Sequence, residues 1–167
     1  DIRVGIQSIG QGLETTLAQI AVERLGLDIA DVHVRLGDTE HSPYSTGAWG
    51  SRGLVWAGGA VARACEEIAG SVAAIGAAPV QTAIESVEVR DGGVYGLDGG
   101  ISIGEIAQSF YLTPADLPGD TDSRGLETTE GYAPDRLTGI HTGSVHAAVV
   151  AVDPETGGVE ILDYVIA

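Results

Sequence analysis

The stretch Ile9-Gly10-Gln11-Gly12-Leu13-Glu14-Thr15-Thr16 joins two segments of different periodicity, and the fold prediction starts from it. Before it, residues 2–8 alternate between apolar and polar side chains, as a half-buried strand does. After it, apolar residues recur at helical spacing until Leu25, and Gly26 follows, so we predict a helix over about residues 14–25. The two glycines allow a sharp turn and let a ligand approach the backbone closely.

A strand that ends in a glycine turn and opens a helix is a candidate anion site. The first turn of a helix presents unpaired N–H groups and the positive end of its dipole, which favour a group such as phosphate. Glycine often occurs in such turns only because of the backbone conformation that they need. This stretch alone therefore leaves open whether the turn binds an anion or is purely structural. A second loop of similar character, residues 47–53, also precedes a helical pattern and favours the binding interpretation.

The rest of the chain alternates between helical and strand patterns. Gly58-Gly59 within the second predicted helix suggests close packing against a neighbouring backbone, since glycine there costs roughly 1 kcal/mol per residue. We predict an α+β fold, with two main helices packed on one face of a mixed sheet in a single domain over residues 1–167. The further predicted elements are a strand at Val32–Leu36, a helix with apolar face Ala57–Ile68, a hairpin over Val87–Gly96, a helix over Ile101–Gln108 with a Ser102/Glu105 capping box, a strand over Leu126–Tyr132, and a hairpin of Val145–Val152 with Val159–Ile166.

The composition narrows the class of protein. The chain has 167 residues, a net charge of −16 and no Lys, which argues against a nucleic-acid partner. Its single cysteine excludes an internal disulfide framework and allows a cytoplasmic or, alternatively, a periplasmic location. No apolar run reaches the ~20 residues that a membrane span needs. A chain without Met that opens directly in a predicted strand is expected to be a fragment or a split subunit.

Four further motifs occur in a characteristic order. They are Gly37-Asp38-Thr39, Gly50-Ser51-Arg52, Gly143-Ser144-Val145-His146-Ala147-Ala148 and Val152-Asp153-Pro154-Glu155-Thr156-Gly157. Together with the first stretch, they resemble the molybdenum-cofactor-binding subunit of the xanthine dehydrogenase/aldehyde oxidase/carbon monoxide dehydrogenase family over essentially the whole chain. The resemblance implies an internal portion of that large subunit and the corresponding cofactor-binding-domain-like fold.

The resemblance also implies a cofactor and the residues that contact it. The cofactor would be molybdopterin, in its cytosine dinucleotide form, with molybdenum. Gln11 and Gly12 would contact its dithiolene or phosphate end, and Thr15 would offer its hydroxyl from the first helical turn. Gly50, Ser51 and Arg52 would line the dinucleotide portion, with a charge-assisted bond from Arg52.

By the same resemblance, the intact enzyme would oxidise an aldehyde, an N-heterocycle or a similar small substrate with oxygen derived from water. The 2Fe-2S and FAD centres are expected on partner chains, and the catalytic glutamate on a segment or chain outside this one. Glu105 matches a different, helical element of the family. We therefore expect the isolated chain to be inactive, and to be stable only with the remaining segments or subunits.

Two departures from the family pattern leave an alternative open. Ala48 and Gly53 stand where relatives commonly carry hydroxyl side chains. The alternative is a non-catalytic structural or interaction domain that keeps the fold without the cofactor, and a weaker third possibility is an isolated nucleotide-binding domain.

The histidines and the cysteine give weaker signals. His33 and His41 are predicted at the surface, and Cys65 in the core. His141 and His146 lie near Asp153 in sequence, but a metal site needs more converging ligands. We assign no metal ligand and no catalytic residue.

Overall fold

A computed structural model describes residues 1–117, 125–135 and 143–167. The chain divides into two compact units, Asp1–Leu137 and Thr138–Ala167, and each is described by itself. The described helices are α1 (Leu13–Leu25), α2 (Gly53–Ala77) and α3 (Ile103–Leu112). The described strands are β1 (Ile2–Val4), β2 (Val34–Leu36), β3 (Glu88–Arg90), β4 (Gly93–Gly96), β5 (Gly99–Ser102), β6 (His146–Val152) and β7 (Val159–Ile166).

The N-terminal half of the first unit is a β-α-β arrangement on which α2 packs. Strands β1 and β2 pair in parallel, with Ile2 opposite Val34, and α1 connects them. Leu13 and Leu17 are almost fully buried in the core between α1 and α2, where Val61 and Cys65 pack from the other helix. Burying one leucine side chain contributes about 1.5–3 kcal/mol, so the apolar stripe of α1 holds this half together. The two predicted main helices and the core position of Cys65 are confirmed.

The paired glycines of α2 make room for side chains. A Cβ on Gly58 would lie 3.0 Å from Cδ1 of Ile20, and a Cβ on Gly59 would lie 2.3 Å from the ring of Tyr132. The close approach that the sequence suggested is therefore present. The neighbours are side chains, so the prediction of a neighbouring backbone was wrong.

The C-terminal half of the first unit has a second core. Strands β3, β4 and β5 form an antiparallel meander in that order. Val94 and Ile106 are fully buried, with Val72 of α2 beside them. The predicted hairpin gains a third strand, β5, because residues 99–102 pair with β4 instead of beginning the helix.

The capping box of α3 is present as predicted. The Oγ atom of Ser102 accepts from the Glu105 N–H at 3.1 Å, and Oε2 of Glu105 accepts from the Ser102 N–H at 3.0 Å. The helix consequently begins at Ile103, two residues later than predicted.

The segment 125–135 is not a strand, so the prediction of a strand over residues 126–132 was wrong. Polar groups of this segment bond to side chains of α2 and α3 instead of to a neighbouring strand; the Leu126 N–H donates to the Tyr111 hydroxyl at 3.2 Å. The Thr128 hydroxyl donates to Oε2 of Glu67 at 2.8 Å, and Nη1 of Arg63 donates to the Gly131 carbonyl at 3.1 Å.

The second unit contains the predicted hairpin, in which β6 and β7 pair antiparallel with a register shift between Val149 and Val150. Asp153 organises the connecting turn, because its carboxylate accepts from the Thr156 hydroxyl at 2.6 Å and from the Glu155 N–H at 2.8 Å. These bonds lower the pKa of the Asp153 carboxyl.

The α+β prediction is confirmed, with parallel and antiparallel pairings that form separate small sheets in the described residues. None of the described helices is long and apolar enough to cross a membrane.

Candidate functional site

The first glycine turn is an ordered loop that ends at the start of α1. Gly10 and Gly12 have φ angles of +100° and +72°, which are accessible to glycine and strained for other residues. The Ile9 N–H donates to Oε1 of Gln11 at 2.6 Å, which fixes this side chain across the turn. Gly12 occupies the N-cap position of α1, and no side chain in the described part of the chain caps this helix. Its first-turn N–H groups are therefore available to a ligand.

The second loop has the same character at the start of α2. Gly47, Gly50 and Ser51 all have positive φ angles, and that of Ser51, +57°, is unusual for a non-glycine residue. Arg52 occupies the N-cap position, and among the described residues no side chain caps this helix either. A 25-residue helix and a 13-residue helix thus both begin with unpaired backbone donors.

The structure brings the two loops together. A Cβ on Gly53, the first residue of α2, would lie 3.9 Å from Nε2 of Gln11. A Cβ added to Gly10, Gly12 or Gly50 would meet no described atom within 4 Å, so the space beside these glycines is open. The side chain of Gln11 therefore reaches from the first turn to the start of α2, and the backbone at these three glycines is accessible.

Gln7 is a site residue that sequence analysis missed. Its Oε1 lies 3.6 Å from the Cβ position of Gly47, and its own Cβ lies 3.4 Å from the Cβ position of Gly37. The exposed amide therefore stands between the end of β2 and the second loop. The available signal was a polar residue in the alternating N-terminal segment, directly before the first turn.

Arg52 lies inside its own loop. It is only 9% exposed, and among the described residues it is the one charged side chain that is buried. Its Nη2 donates to the Gly47 carbonyl at 2.7 Å and to the Thr46 hydroxyl, and its Nε donates to the same carbonyl at 3.2 Å. The guanidinium also stacks on two indole rings, with Cζ 4.3 Å from the Trp49 centroid and 4.9 Å from that of Trp56.

The remaining predicted residues differ in their surroundings. Thr15 is exposed in the first turn of α1, whereas the neighbouring Thr16 hydroxyl returns to the Leu13 carbonyl at 3.0 Å. Ala48 packs partly buried against the core between α1 and α2, so this position serves packing. At Gly53, a side chain with a hydroxyl would point toward Gln11.

The titratable groups have local structural roles. The Glu40 N–H and the His41 ring lower the pKa of Asp38, whose carboxylate organises the turn after β2. Hydrogen bonds from Ser102 lower the pKa of Glu105, and burial raises that of the Cys65 thiol.

The described histidines have separate, local surroundings. His33 and His41 are exposed, as predicted, and His141 lies outside the described residues. His146 bonds Ser144 and Tyr164 within the second unit. In the part of the chain that the structure describes, no group of three or more His, Cys, Asp or Glu side chains could hold a metal ion.

This arrangement can bind an anionic ligand through backbone N–H groups, one amide and hydroxyls. It thus defines a ligand-binding domain. A family model described as "Molybdopterin cofactor-binding domain" matches residues 1–167, and the chain belongs to this family.

Two curated relatives illustrate the similarity. The chain is 34% identical over 163 residues to the nicotine 6-hydroxylase large subunit of Paenarthrobacter nicotinovorans, covering 96% of this chain and 20% of that protein. It is 32% identical over 163 residues to the carbon monoxide dehydrogenase large chain of Hydrogenophaga pseudoflava, covering 95% of this chain and 19% of that protein. The chain therefore spans about a fifth of the length of these relatives.

Solved structures agree with this assignment. Quinoline 2-oxidoreductase from Pseudomonas putida 86 superposes with a TM-score of 0.72 at 32% identity, covering 95% of this chain and 20% of that one. Reconstituted CO dehydrogenase from Oligotropha carboxidovorans superposes with a TM-score of 0.71 at 27% identity, covering 98% of this chain and 21% of that one. The predicted resemblance to molybdenum hydroxylases is confirmed.

Proposed function

We propose that this chain binds molybdopterin, in its cytosine dinucleotide form with molybdenum, as part of a molybdenum hydroxylase. The observation that supports the proposal most directly is the meeting of two uncapped helix N-termini, in the described residues, at Gln11 and Gly53. The residues proposed to form the cofactor site are Gln11, Gly12, Thr15, Gly50, Ser51 and Arg52.

The donors present suit a pyrophosphate-bearing pterin. Backbone N–H groups at a helix N-terminus bind phosphate oxygens without any side-chain charge. The open space beside Gly10, Gly12 and Gly50 allows a ligand to reach the backbone, since no described atom would contact an added Cβ there. The side-chain amide of Gln11 is held by the Ile9 N–H through Oε1, so its Nε2 donor points in a fixed direction.

The bound group would supply the oxidation chemistry that hydroxylates a small substrate with oxygen from water. The printed names of similar proteins include nicotine 6-hydroxylase and quinoline 2-oxidoreductase, so an N-heterocycle is a suitable substrate class, with an aldehyde as the second. The residues of this chain would bind and orient the cofactor. The catalytic glutamate and the 2Fe-2S and FAD centres would lie on other segments or partner chains.

Exposed apolar side chains support assembly with further protein. Ile9, Leu97 and Leu112 are 82%, 89% and 71% exposed, and large apolar groups at the surface are typical of interaction sites. We propose that the remaining segments or subunits of the hydroxylase cover them. A cytoplasmic location belongs to the same proposal, with the periplasm as the alternative, since the single free cysteine is compatible with both.

The test is chemical analysis of the assembled protein purified from its source. We expect about one molybdenum and one pterin per chain, and release of one cytidine nucleotide per molybdenum on acid hydrolysis. Molybdenum without a cytidine nucleotide would refute the dinucleotide form. A complete complex without molybdenum would refute the function and favour the non-catalytic structural or interaction domain.

A further inference from the structure

Arg52 makes its polar contacts within the loop that precedes it. Its Nε and Nη2 atoms converge on the Gly47 carbonyl, and Nη2 also donates to the Thr46 hydroxyl. These bonds close residues 47–52 into a ring in which Gly47, Gly50 and Ser51 have positive φ angles. A guanidinium fixed at two nitrogens on one acceptor holds a backbone more rigidly than a single hydrogen bond would.

Two tryptophan rings also contact the guanidinium. Trp49 lies within the loop and Trp56 in the first turn of α2, and the guanidinium stacks on both rings. The Arg52 carbonyl accepts from the Trp56 N–H at 2.9 Å, so the same residue begins the helix. Arginine is suited to this task because its planar, weakly hydrated cation can stack on rings and donate from two nitrogens at once, whereas a lysine ammonium is a compact, strongly hydrated point charge.

Because the Arg52 side chain is buried, it is poorly placed to contact a ligand directly. A side chain that is 9% exposed presents little of its charge to a ligand in the open region, whereas Gly50 and Ser51 are exposed. We infer that Arg52 is a positioning residue: it fixes the loop of residues 46–51 so that the backbone of Gly50 and Ser51 can bind the cofactor. This inference rests on the proposed function and assigns Arg52 an indirect part in it.

The test measures loop rigidity separately from cofactor content in the assembled protein. Trp49 is 65% exposed, so the bond after it is a chymotrypsin site whose cleavage rate reports how firmly the loop is held. The variants compared with wild type are Arg52→Lys, Arg52→Met and the matched control Arg63→Lys. Arg63 is a suitable control because it lies in the middle of α2, where it also stacks on an aromatic ring and donates to a carbonyl. Cleavage is mapped by mass spectrometry on protein prepared without the cofactor, and molybdenum is counted on protein prepared with it.

We expect both Arg52 variants to cleave at least about fivefold faster at this bond without the cofactor, and to retain less molybdenum when it is supplied. We expect Lys to fail to rescue either property and Arg63→Lys to behave as wild type. Wild-type cleavage of the cofactor-free Arg52→Met variant, with molybdenum lost, would overturn the inference, because Arg52 would then bind the ligand directly. Full molybdenum content in an Arg52 variant whose loop is cleaved faster would also overturn the inference. Absence of molybdenum from wild type would instead refute the proposed function and leave the cleavage comparison interpretable.

Discussion

Gln11 approaches the first residue of α2, because its Nε2 lies 3.9 Å from the position that a Cβ would occupy on Gly53. The turn before α1 and the loop before α2 therefore end at one place. In the proposed site, the unpaired first-turn N–H groups and the positive ends of the two helix dipoles would favour an anion. The chain has a net charge of −16, so we expect local backbone dipoles to attract the anionic cofactor proposed above.

The variant Gln11→Glu should weaken cofactor binding without lowering the stability of α2. One carboxylate oxygen can still accept from the Ile9 N–H, and the other would lie near the N-terminus of α2, where a negative charge stabilises by about 0.3–1 kcal/mol. The same charge would repel an anionic cofactor. We expect molybdenum content to fall while the stability of α2, measured by hydrogen exchange, is unchanged or raised. Gln19→Glu, on the exposed side of α1, is the control, and full molybdenum content in Gln11→Glu would contradict the prediction.

Replacing Gly59 by Ala should destabilise the first unit. The new Cβ would lie 2.3 Å from the Tyr132 ring, and overpacking of this kind costs about 1–3 kcal/mol. Gly70→Ala in the same helix is the matched control, since a Cβ there meets no described atom within 4 Å, and it should stabilise by about 0.5–1 kcal/mol. The measurement is the free energy of opening of α2 from native-state hydrogen exchange.

A second variant tests whether Tyr132 is the cause. Gly59→Ala introduced into a Tyr132→Ala background should no longer destabilise α2, because the ring that it meets is gone. A penalty of equal size in both backgrounds would contradict this explanation.

The capping box of α3 predicts a pH dependence. Hydrogen bonds from Ser102 lower the pKa of Glu105, so the carboxylate stabilises the folded helix above the unfolded pKa of this group. The contribution is lost as the pH falls through the lowered folded pKa. In Glu105→Gln, the amide oxygen can accept from the Ser102 N–H without titrating. We expect wild-type α3 to lose amide protection in acid relative to this variant, and parallel pH profiles of the two proteins would show that Glu105 contributes nothing.

Cys65 should resist alkylation in the folded protein. It is 5% exposed in the core between α1 and α2, and burial raises its thiol pKa, so little reactive thiolate forms. We expect iodoacetamide to modify it only after denaturation, as followed by peptide mapping. Cys65→Ala/Ser86→Cys, with its thiol at an exposed position, should react in the native state. Rapid native modification of Cys65 would show that α1 and α2 separate readily.

The elements that the sequence predicted well depend on local patterns. The helix α1, the Ser102/Glu105 capping box and the β6–β7 hairpin each follow from periodicity, a cap or turn residues within a few positions. The strand predicted over residues 126–132 failed because those residues bond to α2, whose Glu67 lies 61 positions before Thr128. A single sequence does not reveal contacts at such separation.

Parts of the candidate site could likewise be predicted from local sequence patterns, and other parts could not. Glycines before two helices marked both loops, because positive φ angles leave a signature in residue type. The side-chain environment of Arg52 depends on Thr46, Trp49 and Trp56 folding around it, and nothing in their spacing indicated that its charge would point inward. The position of Gln7 between two loops likewise depends on the parallel pairing of β1 with β2.

The length of α2 has a consequence for cooperativity. Its 25 residues form a hydrogen-bonded rod of about 37 Å, at 1.5 Å per residue, and both hydrophobic cores draw side chains from it. Val61 belongs to the first core and Val72 to the second. Because both cores share this helix, we expect a substitution near Val94 that loosens the second core also to destabilise the N-terminal end of α2, where the proposed cofactor site lies.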